Sequence, residues 1–357
     1  MCAPRAIIIG KRNNGGDTDP TTLSKISLLI LERTVADAYF QGQTVDDVMR
    51  HVFEAILSNG EHITPSKGKA AELRGVLLEI TDPRARISRT ETRGKPFSCL
   101  GELCWYLAKS NDLGFISYYL ADYHLFADGS TIFGAYGPRL FNWNGLDQVS
   151  NVTNLLKVKK DSRQAVIQLF DAGDIIEGHK DVPCTCTLQF LLRSEKLHMF
   201  TCMRSNDAYL GMPHDIFSFT MLQEIVARSL SVELGTYKHA VGSLHIYDRD
   251  REDARQYLQE GWQSTTSMPP MPEGDPWPAI ESLLEAESAL RVAGSLAGIT
   301  LADIDPYWED LIRLLCVLRC SKDKEVGRIQ TLRDEMYSDV YRPFIERRLN
   351  HADRGER

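Results

Sequence analysis

The spacing of apolar and polar positions predicts a mixed α+β middle for the chain. Between residues 45 and 56 the apolar side chains recur at helical spacing, and Thr44 can cap this helix while Asn59-Gly60 can end it. Five segments are instead rich in β-branched and aromatic residues, as strands are. The predicted strands are 73–81, 164–170, 185–193, 196–204 and 236–248, and two further predicted helices are 100–107 and 214–230.

Both ends of the chain differ from this middle. Residues 1–43 form a predicted N-terminal extension, in which the stretch 21–40 fits either a helix or a mixture of strand and helix. A turn-rich segment at 267–278 ends the middle, and the residues after it have a helical period. The expected organisation is an N-terminal extension (1–43), a mixed α+β domain (44–272) and a helical C-terminal extension (273–357).

The composition excludes several classes of protein. The 357 residues include 41 basic and 49 acidic side chains, a net charge of −8, and 43% are hydrophobic, as in globular proteins. No apolar run reaches the roughly 18 residues that span a bilayer, and no signal-peptide pattern is present, so we expect a cytoplasmic protein without a membrane partner. The acidity argues against nucleic acid as a partner. The eight cysteines lack CxxC spacing, so neither a disulfide framework nor a metal site is expected.

Cys184 is a candidate nucleophile. It follows Pro183 at the start of a predicted strand, where a thiol can face a cleft. A reactive cysteine needs a nearby cation to stabilise its thiolate, and Arg204 ends the next strand, which a hairpin turn at Ser194-Glu195 would place alongside. Taken alone, such a cysteine is more often a packed core residue.

Two carboxylates, Glu102 and Asp215, and one polar pair, His245 and Tyr247, each have a structural and a functional interpretation. Glu102 lies in an apolar helix, where it is either a surface or arginine-paired acid, or a buried acid with a raised pKa suited to proton transfer. Asp215 near a helix start is an N-cap or, alternatively, a group that recognises the edge of a base. His245 and Tyr247 share one strand face, as core polar groups or as ligands of a sugar hydroxyl.

Several ordered motifs together resemble the thymidylate synthase family, including its pyrimidine hydroxymethylase branch. The resemblance runs from about Asp46 to about Pro272. The strongest motifs are SRQAVIQLFDAGD (162–174), VPCTCTLQF (182–190), MRSNDAYLGMPHDIFSF (203–219) and GSLHIYDRD (242–250), and the weaker ones are LGELCWYL (100–107) and GAYGPRLF (134–141).

The resemblance implies a fold, a reaction and a partner. The fold is a three-layer α/β arrangement around a β-sheet that also forms a homodimer interface. Cys184 would add to C6 of a pyrimidine nucleoside monophosphate, so that C5 becomes nucleophilic and attacks the methylene of the co-substrate 5,10-methylenetetrahydrofolate. Glu102 matches the catalytic glutamate, which organises water and proton transfers.

The resemblance also implies which residues bind the substrates. The phosphate would be held by Arg204, whose charge can lower the thiol pKa, by Ser205, and by Arg163 donated across the dimer interface. His245 and Tyr247 match the pair that binds the sugar 3′-hydroxyl. Asp207 and Gly211 match positions that contact folate and base, and Tyr136 matches an active-site tyrosine. Tyr123 and Phe126 stand near the two tryptophans that line the folate pocket in the family, so Tyr123 is expected to bind folate. The arginine-bearing phosphate loop of the family is replaced by residues 65–70, where Lys67 or Lys69 can substitute.

Asp215 is the most informative departure from the family. Thymidylate synthases have asparagine there, and its amide donates to O4 and accepts from N3–H of uracil. A carboxylic acid can donate to N3 of cytosine and accept from its amino group, whereas an ionised carboxylate would repel uracil O4. The resemblance associates aspartate here with cytidylate hydroxymethylases, so a cytosine nucleotide, CMP or dCMP, is the expected substrate.

The C-terminus is a second departure. The methylating enzymes end in a short tail that closes over folate and excludes water, whereas this chain continues past Pro272. Water would then reach the exocyclic methylene and give a 5-hydroxymethyl product. Two alternatives remain: a thymidylate synthase that methylates dUMP, and a non-catalytic nucleotide-binding relative.

Overall fold

The structure is a computed structural model that describes residues 38–298 and 304–354. The predictions for the N-terminal extension up to residue 37 lie outside these residues. Within them, no helix combines the length and the apolar character needed to cross a membrane.

A seven-stranded mixed sheet forms the centre of the fold. The strand order is β1-β3-β7-β6-β5-β4, with β2 paired to β3; β1–β3 and β6–β7 are parallel and the other pairs antiparallel. The strands are β1 (Tyr39–Gly42), β2 (Glu61–Ile63), β3 (Ala70–Ile80), β4 (Val166–Gln168), β5 (Thr185–Arg193), β6 (Lys196–Asp207) and β7 (Glu233–Tyr247).

Eleven α-helices within the described residues surround the sheet, so the expected α+β class is confirmed. They are α1 (Val45–Asn59), α2 (Pro96–Leu107), α3 (Leu113–Tyr119), α4 (Tyr136–Phe141), α5 (Gln148–Val158), α6 (Gly211–Ser229), α7 (Arg251–Gln259), α8 (Trp277–Val292), α9 (Pro306–Asp323), α10 (Val326–Asp334) and α11 (Arg342–Arg354). Short 3₁₀ turns lie at Ala121–Phe126, Ala172–Ile175, Asp248–Asp250 and Asp339–Tyr341.

Helix α1 begins and ends where its sequence predicts. The Thr44 side chain accepts a hydrogen bond from the backbone N–H of Asp47, and the Asp47 carboxylate accepts one from the backbone N–H of Thr44. Gly60 closes the C-terminal end by donating to the carbonyl of Ile56. The apolar stripe of α1 is fully buried, so local capping and core packing support the same helix.

Replacing Thr44 with alanine should lower the free energy of unfolding by about 1 kcal/mol, because the reciprocal cap of α1 is lost. Chemical denaturation of the full chain would measure the change. Thr44→Ser is the matched control, since a serine hydroxyl can accept the same bond and should leave stability nearly unchanged. Equal losses in both variants would contradict the capping role.

The predicted hairpin between β5 and β6 is confirmed. Its two turn residues, Ser194 and Glu195, both adopt left-handed backbone angles, with φ of 51° and 57°. Two such residues form the turn that matches the twist of antiparallel strands. The resulting pairing places Thr185 opposite Met203, which brings the start of β5 to the end of β6.

Two predicted boundaries differ from the structure. The strand expected over 164–170 is regular only in β4, the last strand at its edge of the sheet, which pairs on one side with β5. The helix expected to start at residue 214 starts at Gly211, with Leu210 at the N-cap position. Asp215 is therefore not an N-cap, and its carboxylate is available for other contacts.

The C-terminal helices pack against the rest of the fold. Tyr119 Oη donates to Glu287 Oε1 of α8 at 2.8 Å, and Arg347 of α11 donates to the carbonyls of Thr90 and Arg89. Helices α8 and α9 both contact α2, and the residues from Ala38 onward form one compact unit. The C-terminal helices thus form part of the packing around α2.

Candidate active site

The strand hairpin fixes Cys184 beside Arg204. Cys184 directly precedes β5, and its carbonyl accepts from the backbone N–H of Arg204 at 2.9 Å. The Arg204 guanidinium donates to the carbonyls of Pro183 and Val182, at 2.9 and 2.7 Å. The arginine is therefore tied to the segment that carries the thiol, as the sequence predicts.

The thiol of Cys184 is half-buried, and its pKa is raised. Burial raises the pKa of Cys184 to about 11; Arg204 and Lys67 lower it, while the acidic groups of Asp181 and Asp215 raise it further. The expected lowering by Arg204 is present but does not outweigh burial. At neutral pH the thiol is protonated, so its attack on an acceptor must be accompanied by loss of its proton.

Tyr136 joins the same site through the start of β5. Its hydroxyl oxygen accepts from the backbone N–H and the hydroxyl of Thr185, at 3.1 and 2.9 Å. Burial, together with the nearby charges of Asp215 and Cys184, raises the pKa of Tyr136 well above its ordinary value. Tyr136 therefore remains a neutral hydroxyl close to both of these residues.

Glu102 lies on α2, buried to 4% exposure and fully hydrogen-bonded. Its Oε1 accepts from Tyr106 Oη at 3.1 Å and from Tyr123 Oη, and His214 Nδ1 lies 2.8 Å from its Oε2. Of the two sequence alternatives, the buried acid is correct. Neither His214 nor Tyr106 was predicted to contact Glu102. Tyr106 stands four residues after Glu102, one helical turn along α2, whereas His214 is 112 residues away on α6 and no spacing in the sequence indicates its contact.

The expected rise in the pKa of Glu102 is wrong. Burial alone would raise it, but the hydrogen bonds and charge of His214 and the bonds from Tyr123 and Tyr106 hold it below the usual value. Burial opposes a charge on His214, yet contacts with Cys99 and Glu102 raise the pKa of His214 to about 10. The two groups therefore form an imidazolium–carboxylate pair at neutral pH.

Asp215 of α6 is a neutral acid at pH 7. It is only 9% exposed, and its Oδ2 accepts from Asn206 Nδ2 at 2.7 Å. Burial and the charge of Glu102 raise the pKa of Asp215 to about 8, although Asn206 lowers it. Asp215 therefore offers one proton and at least one acceptor lone pair, the pattern needed to recognise the edge of a pyrimidine.

His245 and Tyr247 lie together near the end of β7. Their rings meet edge to face, with centroids 4.9 Å apart, and both residues are buried. Asp207 pairs with His245 across β6 and β7, and its Oδ1 accepts from the backbone N–H groups of Tyr209 and Leu210. Asp207 thereby shapes the turn into α6 that positions Asp215.

Gly211 stands at the point where this turn approaches the carboxylates. A Cβ there would lie 3.3 Å from Asn206 Nδ2 and 3.6 Å from Asp215 Oδ2. The absence of a side chain at Gly211 keeps this space open beside the carboxyl group of Asp215. Ser205 is half-buried on β6, paired with Ser243 of β7.

Of the two lysines predicted as phosphate ligands, Lys67 and Lys69, Lys67 lies close enough to Cys184 to lower its pKa. Lys67 lowers the pKa of both Cys184 and Asp181, and its Nζ lies 3.9 Å from the centre of the Phe126 ring. The carbonyl of Lys69 accepts from the backbone N–H of Asp248, which fixes its position beside β7. Lys67 is therefore the cation that can join Arg204 at the thiol.

Arg163 is not brought to the thiol within one chain. It lies exposed just before β4, and its carbonyl accepts from Gln189 Nε2 at 3.0 Å. Gln189 is in the middle of β5, whereas Cys184 precedes the first residue of that strand. Arg163 therefore lies away from the site that its own chain forms.

An aromatic cluster adjoins Glu102. Tyr123 lies edge-on to Trp105 at 5.6 Å and to Phe126 at 5.8 Å, measured between ring centres. Tyr123 and Phe126 are half-buried, so part of each ring is exposed to solvent. Among the described residues, no group of three or more metal-ligating side chains is arranged to hold a metal ion. These features suit a flat heterocyclic ligand.

The part of the chain that forms this site is similar in sequence to known proteins. The model of the family described as thymidylate synthase matches residues 86–271. A protein named deoxyuridylate hydroxymethyltransferase from Bacillus phage SP01 is 31% identical over 223 residues, covering 58% of this chain and 58% of that protein. A protein of the same name from Delftia phage PhiW-14 is 29% identical over 215 residues, covering 56% and 59%. The chain thus spans less than two thirds of the length of either relative.

Proposed function

Because the chain belongs to the thymidylate synthase family, we propose that it transfers a one-carbon unit from 5,10-methylenetetrahydrofolate to C5 of a pyrimidine nucleoside monophosphate and releases a 5-hydroxymethyl product. The observation that carries this proposal is the convergence of Cys184, Glu102 and Asp215 on one site. Cys184 is a protonated thiol, Glu102 an ionised carboxylate and Asp215 a neutral acid at pH 7. These states suit nucleophilic attack, proton transfer and recognition of the base, respectively.

The residues present fit a folate. Tyr123 and Phe126 offer aromatic faces to a pterin ring, and Trp105 has a buried indole N–H without a hydrogen-bond partner in the described part of the chain. Bound there, the folate supplies a one-carbon unit at the oxidation level of formaldehyde. Glu102 lies beside this cluster, within reach of a water or proton exchanged during the transfer.

Cys184 begins the proposed reaction on the nucleotide. Its sulfur bonds to C6, the C5–C6 double bond opens, and C5 becomes nucleophilic, while the thiol proton leaves to a base or water. Arg204 and Lys67 supply positive charge for a phosphate near the thiol. After C5 has gained the carbon and lost its own proton, the C–N bond to the folate breaks and tetrahydrofolate is released with a proton on its nitrogen. Water then adds to the exocyclic methylene to give the hydroxymethyl group, and expulsion of the sulfur from C6 restores the ring.

The anchoring of the chain after residue 270 supports the hydroxymethyl product. The Met271 backbone N–H donates to Glu224 Oε1 at 3.0 Å, and its carbonyl accepts from Arg228 Nε at 2.8 Å. Glu224 is itself paired with the buried Arg86. The segment at which the family match ends is thus fixed in the core and continues into α8. A tail that closes over folate would have to leave these bonds.

The preferred substrate of this proposal is a cytosine nucleotide. Neutral Asp215 can donate to the unprotonated N3 and accept from the 4-amino group. Deoxyuridylate is a second candidate, because both curated relatives carry that substrate in their names. A neutral carboxylic acid also has a donor and an acceptor for uracil if their order is reversed.

The distinguishing assay incubates the protein with the folate and each of CMP, dCMP, UMP and dUMP. We expect a product heavier by one CH₂O unit, formed from a cytidylate with no rise in dihydrofolate absorbance. Formation of dihydrofolate and a methylated uracil nucleotide would overturn the proposed product. Hydroxymethylation restricted to dUMP would overturn the cytosine preference but not the proposed reaction.

Arg163 is proposed to complete the phosphate site of a second copy of this chain. The sheet face beside it has half-buried side chains, including Gln189, Leu191 and Phe200, around a cavity of about 480 Å³. A homodimer through this face would cover these side chains and carry Arg163 of each copy toward its partner. The exposed position of Arg163, away from its own thiol, supports this arrangement.

Replacing His214 with phenylalanine should move the acidic limb of the pH–kcat profile upward by about 1–3 units. Without the imidazolium, Glu102 loses the positive charge that lowers its pKa, so it becomes protonated at higher pH and activity declines earlier as pH falls. Tyr106→Phe is the control, since it removes a neutral hydrogen bond from Glu102 and should shift the limb much less. An unchanged limb in the His214 variant would show that this pair does not set the protonation of Glu102.

A further inference from the structure

A line of buried hydrogen bonds extends behind Asp215. Asn206 Nδ2 donates to Asp215 Oδ2 at 2.7 Å, and Asn206 Oδ1 lies 3.2 Å from His239 Nε2. His239 Nδ1 lies 2.7 Å from the hydroxyl of Tyr237, two residues earlier on the same face of β7. All four side chains are at least nine-tenths buried, so water has little access to interrupt this line.

The donors along this line have a single consistent direction. Burial lowers the pKa of His239 to about 3, so the ring is neutral and carries one N–H. Asn206 directs its N–H toward Asp215, so its Oδ1 faces His239 and accepts from Nε2. The single ring hydrogen of His239 then lies on Nε2, and Nδ1 accepts from the Tyr237 hydroxyl.

We propose that Tyr237, His239 and Asn206 are positioning residues that keep Asp215 Oδ2 as a hydrogen-bond acceptor, leave the carboxyl proton on Oδ1, and so determine which pyrimidine base is bound. This inference rests on the proposed function, because it concerns how the same site recognises its base. None of the three residues needs to touch the nucleotide. They act through the order of donor and acceptor on Asp215.

The order of donor and acceptor matters because the two bases present opposite patterns. Cytosine has an acceptor at N3 and a donor at the 4-amino group, whereas uracil has a donor at N3 and an acceptor at O4. A carboxylic acid with its proton fixed on one oxygen matches one of these patterns in a given pose. A carboxylic acid whose proton can occupy either oxygen matches both, so loss of the line should reduce selectivity more than activity.

Substitutions at His239 distinguish a positioning role from a packing role. His239→Leu removes the donor to Asn206, and the amide can then rotate and present its oxygen to Asp215. His239→Gln retains a side-chain N–H that can make the same bond. Tyr237→Phe deletes only the hydroxyl that orients the ring. Tyr257→Phe is the matched control, since its buried hydroxyl bonds to Asp46, outside this line.

The test measures the dissociation constants of the full-length protein for CMP, dCMP, UMP and dUMP by calorimetry, with melting curves to verify folding. We expect Tyr237→Phe and His239→Leu to reduce the cytidylate-to-uridylate affinity ratio by about tenfold or more. His239→Gln and Tyr257→Phe should keep the wild-type ratio, and kcat for the better base should change only a few-fold in Tyr237→Phe.

Each outcome bears on a distinct claim. An unchanged cytidylate-to-uridylate affinity ratio in both Tyr237→Phe and His239→Leu would overturn the inference. If His239→Leu does not fold, Tyr237→Phe decides alone, because it removes only one oxygen atom from the core and should fold. A wild-type protein that binds both bases equally would also overturn it, with the proposed transfer left intact. A wild-type protein that binds none of the four nucleotides would instead overturn the proposed function.

Discussion

Cys184→Ser is expected to lower kcat by about 10⁴-fold or more and to abolish the covalent nucleotide adduct. A serine hydroxyl is a much weaker nucleophile than a thiol, and the nearby charges of Arg204 and Lys67 cannot ionise it at neutral pH. The adduct can be measured by intact-protein mass spectrometry with 5-fluoro derivatives of CMP and UMP and the folate. Fluorine at C5 cannot leave as a proton does, so the adduct persists.

Cys186→Ser is the matched control for this experiment. Cys186 lies two residues further along, within β5, and besides burial the groups that act on its pKa are Cys202 and Arg204 rather than the acids of the site. We expect its kcat to stay within a few-fold of wild type and its adduct to form normally. Adduct formation by Cys184→Ser, or its loss in Cys186→Ser, would show that the nucleophile has been misassigned.

Asp215→Asn should lower the ratio of kcat/KM for cytidylate to that for uridylate by about 10³-fold. The amide N–H is a far weaker acid than the carboxyl O–H and cannot transfer its proton to the N3 of cytosine, whereas the carboxylic acid can. The amide also pairs with uracil when its oxygen accepts from N3–H and its N–H donates to O4. Steady-state kinetics with the four nucleotides would measure the ratio. Asp181→Asn removes an acidic group that also acts on Cys184, and it should leave the ratio unchanged.

The Asp215→Asn variant should also differ from the wild type in the pH dependence of kcat/KM. Asp215 is protonated below a pKa of about 8, so wild-type kcat/KM for cytidylate should fall as pH rises through that value, because the donor is lost and an anion replaces it. Asparagine does not titrate, so this decline should be missing in Asp215→Asn. A wild-type profile that shows no such decline near pH 8 would contradict the role of the neutral acid.

Features encoded within a few residues could be predicted from the sequence. The Thr44 cap, the apolar stripe of α1 and the Ser194-Glu195 turn depend on neighbours in the chain, and the structure has all three. The position of Cys184 next to Arg204 follows from the hairpin. β4 is shorter than its sequence predicts, because a strand at the sheet edge pairs on one side only.

Protonation states depend on contacts between distant parts of the chain, which composition and spacing do not determine. Glu102 and His214 are 112 residues apart, and only the packing of α2 against α6 makes them an ion pair. The same applies to Asn206 and His239, which lie on different strands. The sequence could therefore indicate that Glu102 is buried, but not that its pKa is lowered rather than raised.

Helix α2 carries Glu102 and is enclosed by other helices, so the candidate active site can stay intact only while the whole domain is folded. Every residue of α2 except Ser98 is buried, and the helix is packed against α6, α8 and α9. Gly101 lies so close to Tyr119 that a Cβ would overlap its ring, at 2.1 Å. Amide hydrogens in this helix should therefore exchange with solvent only through global unfolding, and thermal inactivation should coincide with the loss of tertiary structure.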